Sequence, residues 1–223
     1  FQSTEPLIDA SSFPDAALRQ AVISQVGPYV SDLKDFTGTL NLTNTNVTDL
    51  TGIAEYLPGV TGLNLTGTGV TKITSDMLPE GLQTLNLTNC TSLVLVELNE
   101  HPDLVVDFTG CTAIENLYLA GTNMTEINIS AMTKLHNFII SNSQISKITA
   151  ASASTYTNAY YWNWTGSKLD LSASTKEGKL KDGMEAYFAT ADLEEEVDPQ
   201  ESVLLNMGSV YGKTTIDMAL PKY

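Results

Sequence analysis

Apolar and polar positions alternate in short bursts along this chain, and the bursts recur at a nearly fixed interval. Leu40, Leu63, Leu85, Val106, Ile127, Ile148 and Leu169 form one column, with steps of 23, 22, 21, 21, 21 and 21 residues. Two positions after each stand Leu42, Leu65, Leu87, Phe108, Ile129, Ala150 and Leu171. Between the two columns lie Asn41, Asn64, Asn86, Asp107, Asn128, Thr149 and Asp170. Such an apolar–polar–apolar triplet reads as a short strand whose outer two side chains point inward. A second column half an interval away runs through Leu50, Ile73, Val96, Leu117, Phe138 and Ala159. It repeats the triplet in Val96-Glu97-Leu98, Leu117-Tyr118-Leu119 and Phe138-Ile139-Ile140.

One such strand cannot bury its apolar face alone. Stacked on copies of itself in a parallel ladder about 4.8 Å apart, it can. The pattern therefore predicts a β-rich solenoid of about seven coils over residues 37–172, with short parallel strands and few short helices. Strands are expected on one side of each coil, and short strands or irregular turns on the other. The longer connections GIAEYLPG (52–59) and SDMLPEG (75–81) account for the first two steps, and each has room for a helical turn.

Both ends depart from the repeat. Residues 1–36 are read as a helical cap over the raw core of the first coil. Pro6 and the polar start suggest a frayed lead. In FPDAALRQAVISQVG, Pro14 and Asp15 suit a helix start, and Gly27-Pro28 a stop. Leu18, Ala21, Val22, Ile23 and Val26 form its apolar stripe. Residues 173–223 are read as a small β-rich segment, with strands in AYFATA, SVLLNMGSV and TTIDMAL. About 50 residues are marginal as an independent domain, so this segment either packs on the last coil or belongs to a further domain. The chain is expected to be a mature or trimmed fragment of a longer protein.

Three coils overlay without a gap: CTSLVLVELNEHPDLVVDFTG from Cys90, CTAIENLYLAGTNMTEINISA from Cys111 and MTKLHNFIISNSQISKITASA from Met132. This register resembles the leucine-rich repeat family. LNLTNTNVTDL and LNLTGTGVTKI match its L-x-L-x-x-N/T-x-V/L-x-x-L/I core, with Thr45 and Thr68 where the family often has Asn. Thr122 and Ser143 stand at comparable turns. The stretch IDASSFPDAALRQAV resembles the FPD-type cap that precedes such repeats in secreted bacterial proteins. Several such caps continue into a calcium loop, but Asp32 and Asp35 alone do not make one. The resemblance to internalin-like cell-surface proteins implies adhesion or recognition of a protein, in an extracellular or cell-surface location.

Charge narrows the partner class. With 26 acidic against 11 basic side chains the net charge is −15, which argues against nucleic acid and anionic membrane. No apolar run approaches the ~18 residues needed to span a bilayer. Cys90 and Cys111 lie one coil apart and should stack at one turn position. They are read as two buried thiols, with a disulfide as the alternative, since in-register side chains run parallel and leave their Cβ atoms apart. Eight Asn-x-Ser/Thr sequons, Asn41, Asn64, Asn86 and Asn128 among them, follow from the strand motif itself and are not read as modification sites.

No HExxH, P-loop, Rossmann glycine pattern, nucleophile elbow or CxxC pair occurs, and His101 and His136 stand apart in register. The run DLEEEVDPQE reads as a solvated loop. The chain is therefore read as a non-enzymatic binding module without metal or cofactor, acting as a monomer. At the coil period Tyr160 follows Ile139, which follows Tyr118, with Glu97 one coil earlier. These four, flanked by Trp162 and Trp164, are the candidate contact residues for a protein or glycan. If the other column faces the ligand, Asn64, Asn86, Asp107 and Asn128 take that role. Two rival readings are a rigid spacer, with the aromatics closing the core, and a carbohydrate module stacking sugars on Trp162 and Trp164.

Overall fold

The inward columns fold as parallel ladders. The computed structural model describes residues 4–149, 151, 156, 158, 161–163, 167–168, 202–206 and 215–219. The chain divides into two units, Phe1–Leu93 with Leu104–Cys111, and Val94–Asp103 with Thr112–Tyr223.

The first unit opens with the cap. Helix α1 spans Ala16–Gln25 and buries Leu18 and Val22. Asp15 caps it: Oδ1 accepts from the Leu18 N–H at 3.0 Å, and Oδ2 accepts from Thr48 N at 2.9 Å and Asp49 N at 3.1 Å. One carboxylate thus starts the helix and pins it to the turn of the first coil. The lead is tied down rather than frayed. Val30 N donates to Pro6 O at 2.9 Å and Ile8 N to Pro28 O at 2.8 Å, so residues 6–8 pair with the chain entering the short helix α2 (Val30–Leu33). Burial of Ile8 holds that pairing.

Strands β1 (Gly38–Asn41), β2 (Val60–Asn64), β4 (Thr84–Asn86) and β6 (Val105–Asp107) form a parallel sheet in that order. Leu40 pairs with Leu63, Leu63 with Leu85, and Leu85 with Val106, which is the column read from the sequence. Strand β3 (Lys72–Thr74) lies on the opposite half of its coil. The two long connections hold helix α3 (Ile53–Tyr56) and a 3-10 turn at Ser75–Met77. The open edge of β1 is blocked by Gln25, whose side-chain amide donates to Asn41 O at 2.7 Å and accepts from Asn41 N at 2.8 Å. That amide takes the place of one missing strand residue, which protects an edge that would otherwise invite pairing.

The turns after β1, β2, β4 and β6 carry two further ladders. Asn44, Gly67, Asn89 and Gly110 all adopt positive φ, from 55° to 75°. Asn and Gly alternate for a steric reason: a Cβ on Gly67 would collide with Asn44 Oδ1, and one on Gly110 with Asn89 Oδ1. Beside them Thr45, Thr68, Cys90 and Cys111 turn inward. Thr45 and Thr68 donate to the carbonyls of Leu42 and Leu65 at 2.7 and 2.8 Å, and the two thiols to those of Leu65 and Leu87 at 3.1 Å each. Both cysteines are buried and free. Burial raises the Cys90 thiol above its ordinary value and pushes Cys111 up to about 12.

In the second unit β5 (Leu95–Glu97), β7 (Asn116–Tyr118), β9 (Asn137–Ile139) and β11 (Tyr161–Asn163) pair in parallel, and β8 (Glu126–Asn128) pairs with β10 (Lys147–Thr149). Val96, Leu117, Phe138 and Trp162 are the inward residues of the four-strand ladder. Trp162 meets Phe138 at 5.4 Å and Tyr156 edge-on at 5.1 Å. The Tyr156 hydroxyl donates to Ile129 O at 3.0 Å and accepts from Ala151 N at 2.9 Å. Burial pushes that phenol up to about 12. Toward the C-terminus β12 (Ser202–Asn206) and β13 (Thr215–Ala219) pair antiparallel. The stretch AYFATA and the inward positions Ala150, Ala159, Leu169 and Leu171 lie outside the described residues.

Candidate functional site

Strand alternation sends every second side chain of β5, β7, β9 and β11 outward. The outward residues are Leu95 and Glu97, then Asn116 and Tyr118, then Asn137 and Ile139, and finally Asn163. Glu97 is exposed, while Tyr118, Ile139 and Asn163 are half-buried. The expected row Glu97–Tyr118–Ile139 is therefore continuous, each residue paired with the next across the ladder.

The row ends differently from expectation. Asn163, not Tyr160, pairs with Ile139, and Trp162 pairs with Phe138. The step from Phe138 to Trp162 is 24 residues where 21 was expected, so the connection before β11 holds three extra residues. The physical reason is volume. Trp162 offers the core a far larger apolar side chain than Ala159. Trp162 is consequently removed from the candidate surface: it is 1% exposed, with Phe138 and Tyr156 against its ring. A ring buried on both sides cannot stack on a sugar, so this half of the carbohydrate reading is withdrawn. Tyr160 and Trp164 lie outside the described residues.

A parallel column completes the face. Asn137 Nδ2 donates to Asn116 Oδ1 at 2.7 Å, linking adjacent coils side chain to side chain. Both amides are half-buried, and Leu95 continues the column on β5. The sequence carried the signal for these residues, since they stand two positions before Tyr118 and Ile139 and so share their face. The face is thus an amide column beside a carboxylate, a phenol and an aliphatic side chain. Exposed Glu100 follows β5, exposed Glu115 precedes β7, and exposed Lys134 and His136 precede β9, whereas Asp103 stands two residues before β6 and accepts from Asn123 Nδ2. His136 Nδ1 is 2.7 Å from Asn158 O.

The alternative polar column has its acceptors committed within the fold. Asn64 Oδ1 takes the Thr66 N–H at 3.0 Å and its hydroxyl at 2.7 Å; Asn86 takes Thr88 N at 2.9 Å. Asp107 takes Thr109 N at 2.9 Å, and Asn128 takes Ser130 N at 2.9 Å and its hydroxyl at 2.6 Å. Asn41 does the same with Thr43. Each side chain bridges two residues forward and closes the turn that follows its strand. The hydroxyl and backbone N–H of Thr109 hold the Asp107 carboxyl below its ordinary value. The Asn-x-Thr spacing is therefore a turn device.

Elsewhere in the first unit a groove of about 500 Å³ is lined by Asp49, Glu55, Lys72, Asp76 and Met77, among others. Asp49 within it accepts from Thr51 N at 2.9 Å, and Asp76 from the Thr74 hydroxyl. Among the described residues, no group of three His, Cys, Asp or Glu is placed to hold a metal, and no helix is long and apolar enough to cross a membrane.

Endo-β-N-acetylglucosaminidase EndoSd of Streptococcus dysgalactiae is 33% identical over 143 residues, covering 62% of this chain and 15% of that protein. Endo-β-N-acetylglucosaminidase EndoS of Streptococcus pyogenes serotype M1 is 33% identical over 122 residues, covering 52% of this chain and 12% of that protein. The similarity thus involves only a small part of each relative. Among solved structures, an internalin (InlF) of Listeria monocytogenes is similar at 21% identity, covering 76% of this chain and 61% of that chain, with a TM-score of 0.31. The functional domain of InlJ from the same species, described as including a cysteine ladder, is similar at 17% identity, 78% and 56% coverage and a TM-score of 0.33. The model of one family, the leucine-rich repeat domain of endo-β-N-acetylglucosaminidase EndoS, matches residues 13–159, from the cap through the Asn- and Thr-edged coils, and the chain belongs to that leucine-rich repeat family.

Proposed function

We propose that this chain is a non-catalytic recognition module of an extracellular bacterial protein, and that it docks a protein partner on the outer face of β5, β7, β9 and β11. The observation that carries the reading is the pairing of Tyr118 with Ile139 beside the hydrogen bond from the Asn137 side-chain amide to that of Asn116. Partly exposed aromatic and aliphatic side chains next to oriented amides are what recognition surfaces use. The outer face of β1, β2, β4 and β6 differs, because its Asn and Asp acceptors close turns. By analogy with the relatives' names, the module would sit in a larger protein that acts on N-acetylglucosamine-containing glycans, with chemistry in another domain. Its partner would then be a glycoprotein presented to that domain.

The test is binding of the chain to a panel of extracellular glycoproteins, each assayed with and without enzymatic deglycosylation. Tyr118→Ala/Ile139→Ala should abolish capture of the partner while leaving thermal melting nearly unchanged. Capture that survives this change but is lost in Asn64→Ala/Asn86→Ala, with the melting temperature of that variant unchanged, would move the site to the other column. Absence of any capture would favour the rigid spacer, a reading supported by the burial of Trp162 and Tyr156.

A further inference from the structure

We infer that the partner of this face is a cationic protein surface, and that Glu97 with Tyr118 forms its receptor for a Lys or Arg side chain. The inference rests on the recognition reading above and adds the partner's chemistry.

Two independent observations support it. The first is charge distribution. Between Lys72 and Lys134 the sequence contains eight Asp or Glu and no Lys or Arg. Glu97, Glu100 and Glu115 from this stretch are all exposed: Glu97 ends β5, Glu100 follows it three residues on, and Glu115 immediately precedes β7. The second is local pairing. Glu97 is the direct ladder partner of Tyr118, so the carboxylate and the phenol ring project from adjacent strands about 4.8 Å apart. A carboxylate beside an aromatic ring suits a guanidinium or ammonium group, by ion pairing on one side and attraction to the ring face on the other. Ile139 extends the apolar strip for the aliphatic stem of such a side chain, and the Asn116–Asn137 amides offer hydrogen bonds to a backbone alongside. Lys134 and His136, ahead of β9, bound the acidic area and give it a polarity that sets the orientation of a bound segment.

The experiment uses the full 223-residue chain with cytochrome c and lysozyme as cationic probes and an acidic protein of similar size as control. The cationic probes should bind, and binding should weaken by about tenfold or more between about 50 and about 300 mM salt, as screening shortens the reach of exposed charges. Glu97→Gln/Glu115→Gln should weaken binding about tenfold, and Asp35→Asn/Glu80→Gln, which removes two charges from the first unit, by no more than about twofold. Equal losses in both pairs would reduce the effect to bulk charge and overturn the proposal, as would equal binding of acidic and cationic probes. If Tyr118→Ala/Ile139→Ala abolishes capture of a glycoprotein whose binding ignores salt and Glu97→Gln, the cationic partner is refuted and the recognition face stands. If neither pair of changes affects any binding, both readings fall.

Discussion

Replacing Gly110 by Ala tests the turn ladder most directly. Gly110 has φ +75°, and a Cβ there would collide with Asn89 Oδ1 and come within 3.2 Å of Asn89 Cγ. Gly121 has nearly the same backbone, φ +73°, but nothing lies within 4 Å of its notional Cβ. The two glycines therefore share one cost and differ in the other. A left-handed L-residue costs about 1–2 kcal/mol, and Gly→Ala regains about 0.4–1 by restricting the unfolded chain. Gly121→Ala should thus lose roughly 1 kcal/mol. Gly110→Ala must also push the Asn89 side chain aside, adding about 1 kcal/mol for contacting residues. Asn89→Gly keeps the positive-φ backbone and removes the obstacle. In that background Gly110→Ala should cost no more than Gly121→Ala. Urea unfolding followed by far-UV circular dichroism measures all five proteins. Additivity of Asn89→Gly and Gly110→Ala within about 0.5 kcal/mol, or equal losses at Gly110 and Gly121 in the parent chain, would refute the steric account of the Asn–Gly alternation.

Cys111, pushed up to about 12 by burial, should resist thiol reagents at pH 8 in the folded chain and react fully in denaturant. An unfolded thiol ionises near its ordinary value of 9.0, so the folded state holds more protons between about 9 and 12 and stability should fall with rising pH across that window, readable as a falling urea midpoint. At Asp15 burial alone would raise the carboxyl, but the backbone N–H groups of Thr48, Leu18, Asp49 and Ala17 outweigh it and lower the pKa. Its stabilisation is therefore present above the unfolded value of 3.8 and is lost as pH falls through the lower folded value. Asp15→Ala should cost about 2 kcal/mol at pH 7 and flatten the acid limb of a pH–stability curve.

The coil register was legible because a fixed interval leaves no alternative for an apolar triplet that must meet its neighbour inside. Leu40, Leu63 and Leu85 pair as the spacing required, and so do Glu97, Tyr118 and Ile139. The cap helix was legible from local chemistry, since Asp15 and the stripe through Leu18 and Val22 need no distant partner to be recognised. Tertiary structure decided what local pattern could not. In TYTNAYYWNW more than one aromatic could have continued the inward column, and packing against Phe138 and Tyr156 selected Trp162. The pairing of the lead is not visible locally, because Pro6 and Ile8 meet Val30 and Pro28 twenty or more residues along the chain. Asn64 and Asn86 stand at the middle, polar position of their triplets, but their side-chain carbonyls are spent on the turns of Thr66 and Thr88. Period fixes which side chains point inward, because every coil must satisfy the same core; which outward groups remain available to a partner depends on hydrogen bonds and steric contacts that only the folded turns create.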